Sequence, residues 1–127
     1  MMRGMSTPGR TDPADAPRLA RALDQLRSAV EENTARNIEL LRRIDAMRAV
    51  VGGSPAELLA ADQRPRAVEL LTKNVDALHT AGATFRAVFA QTLYEGGMTI
   101  AAIADDFGVT RQRVSALLKQ RHASVDI

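Results

Sequence analysis

Between Arg18 and Val51 no glycine or proline interrupts the chain, and one side-chain pattern holds from end to end. Leu19, Leu23, Leu26, Val30, Asn33, Asn37, Leu40, Ile44, Met47 and Val51 follow one another at alternating steps of four and three. That is a heptad repeat, with Leu23, Val30, Asn37, Ile44 and Val51 at a and Leu19, Leu26, Asn33, Leu40 and Met47 at d. At ~1.5 Å per residue it predicts a coiled-coil-like helix about 50 Å long. A chain of 127 residues has room for one domain, or a small domain and an appendage. It cannot cover such a helix along its whole length, so the helix predicts a partner, most simply a second copy of the chain. The ten seam residues are the predicted dimerisation contacts. Asn33 and Asn37 place amides in mid-seam, where such groups set register and strand number at a cost in stability. Leu41 at e and Val50 at g widen the stripe toward a bundle. A parallel pair would set Arg43 at g against Arg48 at e of the other chain, which is repulsive. An antiparallel or bundled arrangement is at least as well supported. The competing reading is an amphipathic helix packed within one chain.

The residues before this helix form no pattern. Met1 to Pro17 holds three of the five prolines and carries equal numbers of Arg and Asp, which predicts a disordered arm over residues 1–17. Gly52-Gly53 ends the long helix. Ser54-Pro55-Ala56-Glu57 opens another, with Ser54 as N-cap, Pro55 at the first helical position and Glu57 completing a capping box. Asp62 recaps the chain, with Pro65 in the first turn that follows. Val68, Leu71, Val75 and Leu78 mark a helical stripe to about Thr80, and Gly82 is the expected boundary. Residues 18–82 therefore form a helical dimerisation region.

Residues 83–121 predict a trihelical helix-turn-helix, with residues 122–127 as a tail. Thr84 caps a helix whose apolar face is Phe85, Val88, Phe89 and Leu93, and Gly96-Gly97 stops it. Thr99 caps a short helix with Ile100, Ile103, Ala104 and Phe107 inward. Gly108-Val109 makes the turn, where glycine supplies a positive φ. Thr110 caps the last helix, with Val114, Leu117 and Leu118 inward. Ala104 falls where two helices cross closely, and Ile103, Phe107, Val109, Val114 and Leu117 form the wedge that sets their angle. The last helix breaks a local rule. Arg111 and Arg113 occupy its first turn, where the dipole disfavours cations by roughly 0.3–1 kcal/mol. A helix tip inserted into a major groove explains the exception. There Arg111 and Gln112 can form bidentate pairs with guanine and adenine edges. Ser115 is assigned to a base or phosphate, and Arg113, Lys119 and Arg121 to phosphates. Thr99 and Thr110, at helix N-termini, add backbone N–H contacts. The structural alternative pairs Arg111 and Arg113 with Asp105 and Asp106 on the surface, where such bridges contribute ~0–1 kcal/mol.

The stretch from Met98 to Val114, above all Phe107-Gly108-Val109-Thr110-Arg111-Gln112-Arg113-Val114, resembles the promoter-reading helix-turn-helix of housekeeping sigma factors. It is also similar to the helix-turn-helix of site-specific recombinases and transposases. The likeness covers residues 84–121. In the sigma pattern a Glu follows the first Arg, and a further Arg follows the aliphatic; here those places hold Gln112 and Ser115. The resemblance implies a similar core and a DNA contact by Arg111, with a different base preference. Residues 18–80 resemble no family.

The expectation is an all-α chain: a long coiled-coil-like helix, a helical bundle and a C-terminal helix-turn-helix. It would act as a dimeric, sequence-specific double-stranded DNA-binding protein, a transcriptional regulator in a bacterial cytoplasm, associated with the nucleoid. A helical adaptor that binds a coiled-coil or sigma-like protein is the alternative. The formal charge of +2 argues only weakly for nucleic acid, so placement has to carry that case. The lack of cysteine excludes disulfides, thiol nucleophiles and cysteine-bound zinc. Two histidines, His79 and His122, make no metal site, and 3% aromatic content is too little for a base-stacking platform. No apolar run approaches the ~20 residues of a membrane span. An enzyme is not expected. Asp105 and Asp106 point about 100° apart on a helix, Glu31-Glu32 is a solvated face, and there is no phosphate-cradling loop. No cofactor is implied, and no effector can be named.

Overall fold

The computed structural model describes the backbone of residues 16–125 and the side chains of residues 17–120. The described residues form five helices joined by short turns, with no strand among them: α1 (Ala16–Ala49), α2 (Pro55–Ala61), α3 (Ala67–Glu95), α4 (Ile100–Phe107) and α5 (Arg111–Val125). None of these is long and apolar enough to cross a membrane. The expected arm over 1–17 falls outside the described residues up to 15, while Ala16 and Pro17 open α1. Proline is tolerated there because a first-turn N–H has no intrahelical partner. Residues 122–125, expected in a tail, continue α5.

The chain divides into two compact units, one made of Leu26–Ala81 and the other of residues up to Gln25 together with Gly82 onward. The boundary in the second half falls at Gly82, where the sequence predicts a break between helices. The helix does not break there. α3 runs through Gly82 from Ala67 to Glu95. Glycine in a helix interior costs roughly 0.5–1 kcal/mol, but a helix ends only where leaving it gains something. Ala81 lies buried on one side of Gly82, and Ala87, Val88 and Ala90 on the other. These buried faces hold both halves in one helix, and Gly82 keeps a negative φ. Thr84 is therefore an interior residue, not a cap.

In the unit Leu26–Ala81, α1 and α3 lie antiparallel, since Arg36 meets Asn74 while Arg43, further along α1, meets the Pro65 carbonyl ahead of α3. Arg36 Nε donates to Asn74 Oδ1 at 2.6 Å, and Asn74 Nδ2 donates to Asn37 Oδ1 at 3.0 Å. The same register sets Ala29 level with Ala81 and Leu40 level with Leu70, and all four are buried. The heptad seam is thereby divided. Its d residues Leu26, Asn33, Leu40 and Met47 are half-buried or buried within the chain, whereas Val30, Asn37 and Ile44 at a stay exposed. Among the described side chains, Asn33 Oδ1 is buried without a hydrogen-bond partner.

Arg43 also turns inward and is only 6% exposed. Its guanidinium donates to Asp62 Oδ1 at 2.8 Å, to the carbonyls of Gln63 and Pro65 at 2.6 and 2.8 Å, and to Glu39 Oε2 at 2.8 Å. It is thus not available for the repulsion with Arg48 expected of a parallel pair. The caps of α2 follow the sequence. The Ser54 N–H donates to Glu57 Oε1 at 2.8 Å, and the Glu57 N–H donates to Ser54 Oγ at 3.2 Å. Asp62 Oδ1 accepts the Ala67 N–H at 2.8 Å as well, so one carboxylate ends the α2–α3 loop and holds Arg43. Pro65 lies ahead of α3 and not in its first turn.

Candidate nucleic-acid interface

The second half of α3 packs with α4 and α5 around one apolar core. Ala87, Ala90, Ile103, Ala104, Val114 and Leu117 are its buried members, and Leu93, Met98, Ile100, Phe107 and Leu118 pack against them. Small residues on α3 and Ala104 on α4 allow close approach, while Ile103, Val114 and Leu117 fill the space between. Phe85, Phe89 and Phe107 stack in a row, with ring centroids 5.2 and 5.4 Å apart.

Each turn of this segment has a local cause. α3 ends at Gly97, whose φ of 109° is positive. The Met98 N–H donates to the Leu93 carbonyl at 3.0 Å, and the Gly97 N–H to the Tyr94 carbonyl at 3.1 Å. These are the two bonds of a Schellman cap. Thr99 then accepts the Ala102 N–H on its hydroxyl at 3.1 Å and starts α4. The pattern repeats at the next turn. Gly108 is left-handed, at φ 69° and ψ 35°. The Val109 N–H reaches the Ala104 carbonyl at 3.0 Å, and the Gly108 N–H reaches Asp105 at 3.2 Å. Thr110 Oγ1 accepts the Arg113 N–H at 3.0 Å and starts α5.

The angular positions of the α5 side chains follow from 100° per residue. Val114 and Leu117 face the core and are almost wholly inaccessible. Gln112, Ser115, Ala116 and Lys119 fall on the opposite side, with Arg111 and Arg113 on its two flanks. Arg111, Gln112, Arg113 and Lys119 are exposed, as are Thr99 and Thr110, while Ser115 is half-buried. The Arg121 side chain lies outside the described residues. No acidic residue occurs on α5. Among the described residues, neither Arg111 nor Arg113 forms an ion pair with Asp105 or Asp106.

One wedge residue departs from expectation. Val109 is 39% exposed, because the Schellman bond of its N–H ties down its backbone and not its side chain. It lines a groove of about 230 Å³ together with Phe85, Phe89, Phe107 and Leu117, with Arg86 and Arg113 also in its wall. Sequence reasoning also missed the buried Arg43–Asp62 pair. The only hint was an Arg at a g position, and such residues are ordinarily solvated. Among the described residues no group of three potential metal ligands occurs. No protein-family model matches this chain, and neither a curated protein nor a solved structure does.

Proposed function

We propose that the chain is a sequence-specific double-stranded DNA-binding protein, a transcriptional regulator that reads the major groove with α5 as a helix-turn-helix. One observation carries this reading. The exposed first turn of α5 holds Arg111 and Arg113 without carboxylate partners, on a helix fixed by Val114 and Leu117. A cation pair at a helix N-terminus weakens the helix, and an anion from outside would offset that cost. Arg111 and Gln112 are assigned to base edges, Ser115 to a base or phosphate, and Arg113, Lys119 and Arg121 to phosphates. Thr99 and Thr110 add phosphate contacts through their helix N-termini. Two copies would present two such helices to a two-part site. The helical adaptor is the second reading, and the exposed apolar side chains of α1 and α3 favour it.

Selection of bound duplexes from a random pool, followed by titration at rising salt, separates the two. A DNA reader loses affinity steeply with salt. Arg111→Ala should cost about 1–3 kcal/mol on the selected duplex and relax the preference at one base position. Absence of duplex affinity at low salt would reject the proposal in favour of the adaptor.

A further inference from the structure

The unit Leu26–Ala81 has two flanks of opposite character. From the side of α1 that meets α3, a turn of roughly a quarter in the sequence direction reaches the a stripe, with Val30, Ile44 and, next to them, Leu41. From Leu70 and Asn74 on α3, a similar turn reaches Val68, Leu71 and Val75. Because the helices run in opposite directions, turns of the same hand bring both stripes to the same flank. All six side chains are at least 47% exposed, and Leu41, Val68 and Val75 exceed 60%. The other flank carries Glu32 and Glu39 from α1, with Glu69, Lys73, Asp76 and Thr80 from α3. Thr34 and Arg48 share the apolar flank, but every large exposed apolar side chain named here lies on it and none on the other, and solvation alone gives no reason for that.

Area indicates how much cover the apolar flank needs. The six side chains leave an apolar patch of several hundred Å², at the upper end of the ~300–600 Å² of the largest patch on a typical monomer. With the polar residues between them, the flank approaches the ~800 Å² that each partner contributes to a stable interface. The pattern along α1 points to a copy of itself. Asn37 lies midway between Val30 and Ile44, and Arg27 and Asp45 stand at near-equal distances on either side of it, both at the outer edge of the stripe. A two-fold axis crossing α1 at Asn37 therefore sets Val30 against Ile44 and brings Arg27 to within two residues of level with Asp45 of the second copy. A parallel alignment would instead set Arg27 beside Arg27. Isologous interfaces of this kind are the commonest route to a dimer.

We propose that a second copy of this chain covers the Val30–Leu41–Ile44 and Val68–Leu71–Val75 flank, with the two α1 helices antiparallel about Asn37. Two hairpins then close into a four-helix bundle, and the a residues meet across the chains while the d residues stay within each. The amide of Asn37, already held by Asn74 at 3.0 Å, sits at the axis and penalises other registers.

The 127-residue chain can be tested directly, because it contains no cysteine. Light scattering should give twice 13.7 kDa. Leu41→Glu with Val75→Glu should halve that mass with unchanged helical circular dichroism. Both side chains are exposed within the protomer. Asn37→Cys should form a covalent dimer under oxidised glutathione, since thiols at a two-fold axis fall within disulfide reach. Val30→Cys should cross-link to Ile44→Cys in a mixture and not to itself. A wild-type monomer at micromolar concentration, a dimer indifferent to the double substitution, or Val30→Cys linking to itself would each overturn the proposal. A monomer that still binds its duplex overturns this inference and leaves the DNA-reading proposal standing. A dimer without duplex affinity does the reverse.

Discussion

Arg113 sits where a helix would be better served by the opposite charge. Its N–H donates to Thr110 Oγ1 at 3.0 Å, so position 113 is the third helical residue of a Thr-capped helix. A Glu there would complete a capping box and meet the positive end of the dipole. Arg113→Glu should therefore raise stability by about 0.5–1 kcal/mol, seen as a higher melting temperature. The same substitution should weaken duplex binding and lower its salt dependence by about one ion. Opposite signs in melting and binding are expected only if the arginine is kept for an external anion. If melting rises and binding is unchanged, Arg113 has no part in the interface. The residue types at this tip were legible in the sequence, because caps and dipoles are local. What the sequence could not show was whether Asp105 and Asp106 turn toward them, since that depends on the path through Gly108.

The α2–α3 loop depends on charge. The hydrogen bond from Arg43 holds the Asp62 carboxyl below its ordinary range, opposed by burial and aided by the Ala67 N–H. The same guanidinium lowers Glu39, and both carboxylates raise Arg43 in turn. A carboxylate with a lowered folded pKa contributes stability above its ordinary pKa and loses it as pH falls through the folded value. The wild-type melting temperature should thus hold through neutral pH and fall once the medium is more acid than the ordinary carboxylate range. Asp62→Asn should melt several degrees lower at neutral pH and show a shallower acid limb. Equal acid limbs in the two proteins would mean the pair contributes nothing. This element was half-readable. A cap at Asp62 was expected from the sequence, but the helix it was expected to start begins only at Ala67, five residues on; its partner lies nineteen residues away on α1, and no periodicity points to it.

For the whole molecule, two proposals combine into one expectation. If the apolar flank joins two chains and α5 reads DNA, a two-part site gains affinity through effective concentration and not through new contacts. Leu41→Glu with Val75→Glu should then weaken binding to a two-part duplex by ten-fold or more and leave binding to a single half-site unchanged. Anisotropy with duplexes of one and two half-sites measures both. An equal loss on both would place the substituted residues in the DNA contact itself.

Local chemistry was decided by the amino-acid order alone. The unbroken α1, the Ser54, Thr99 and Thr110 caps and the left-handed Gly108 follow from hydrogen bonds and torsional sterics within a few residues. Tertiary packing decided the rest, because burial is a competition among all surfaces of the chain. It carried α3 through Gly82, drew Arg43 inward to Asp62, left Val109 in the open, and split the seam, d residues toward α3 and a residues toward solvent. A heptad pattern states which side chains avoid water; only the folded chain shows which of them it can cover by itself.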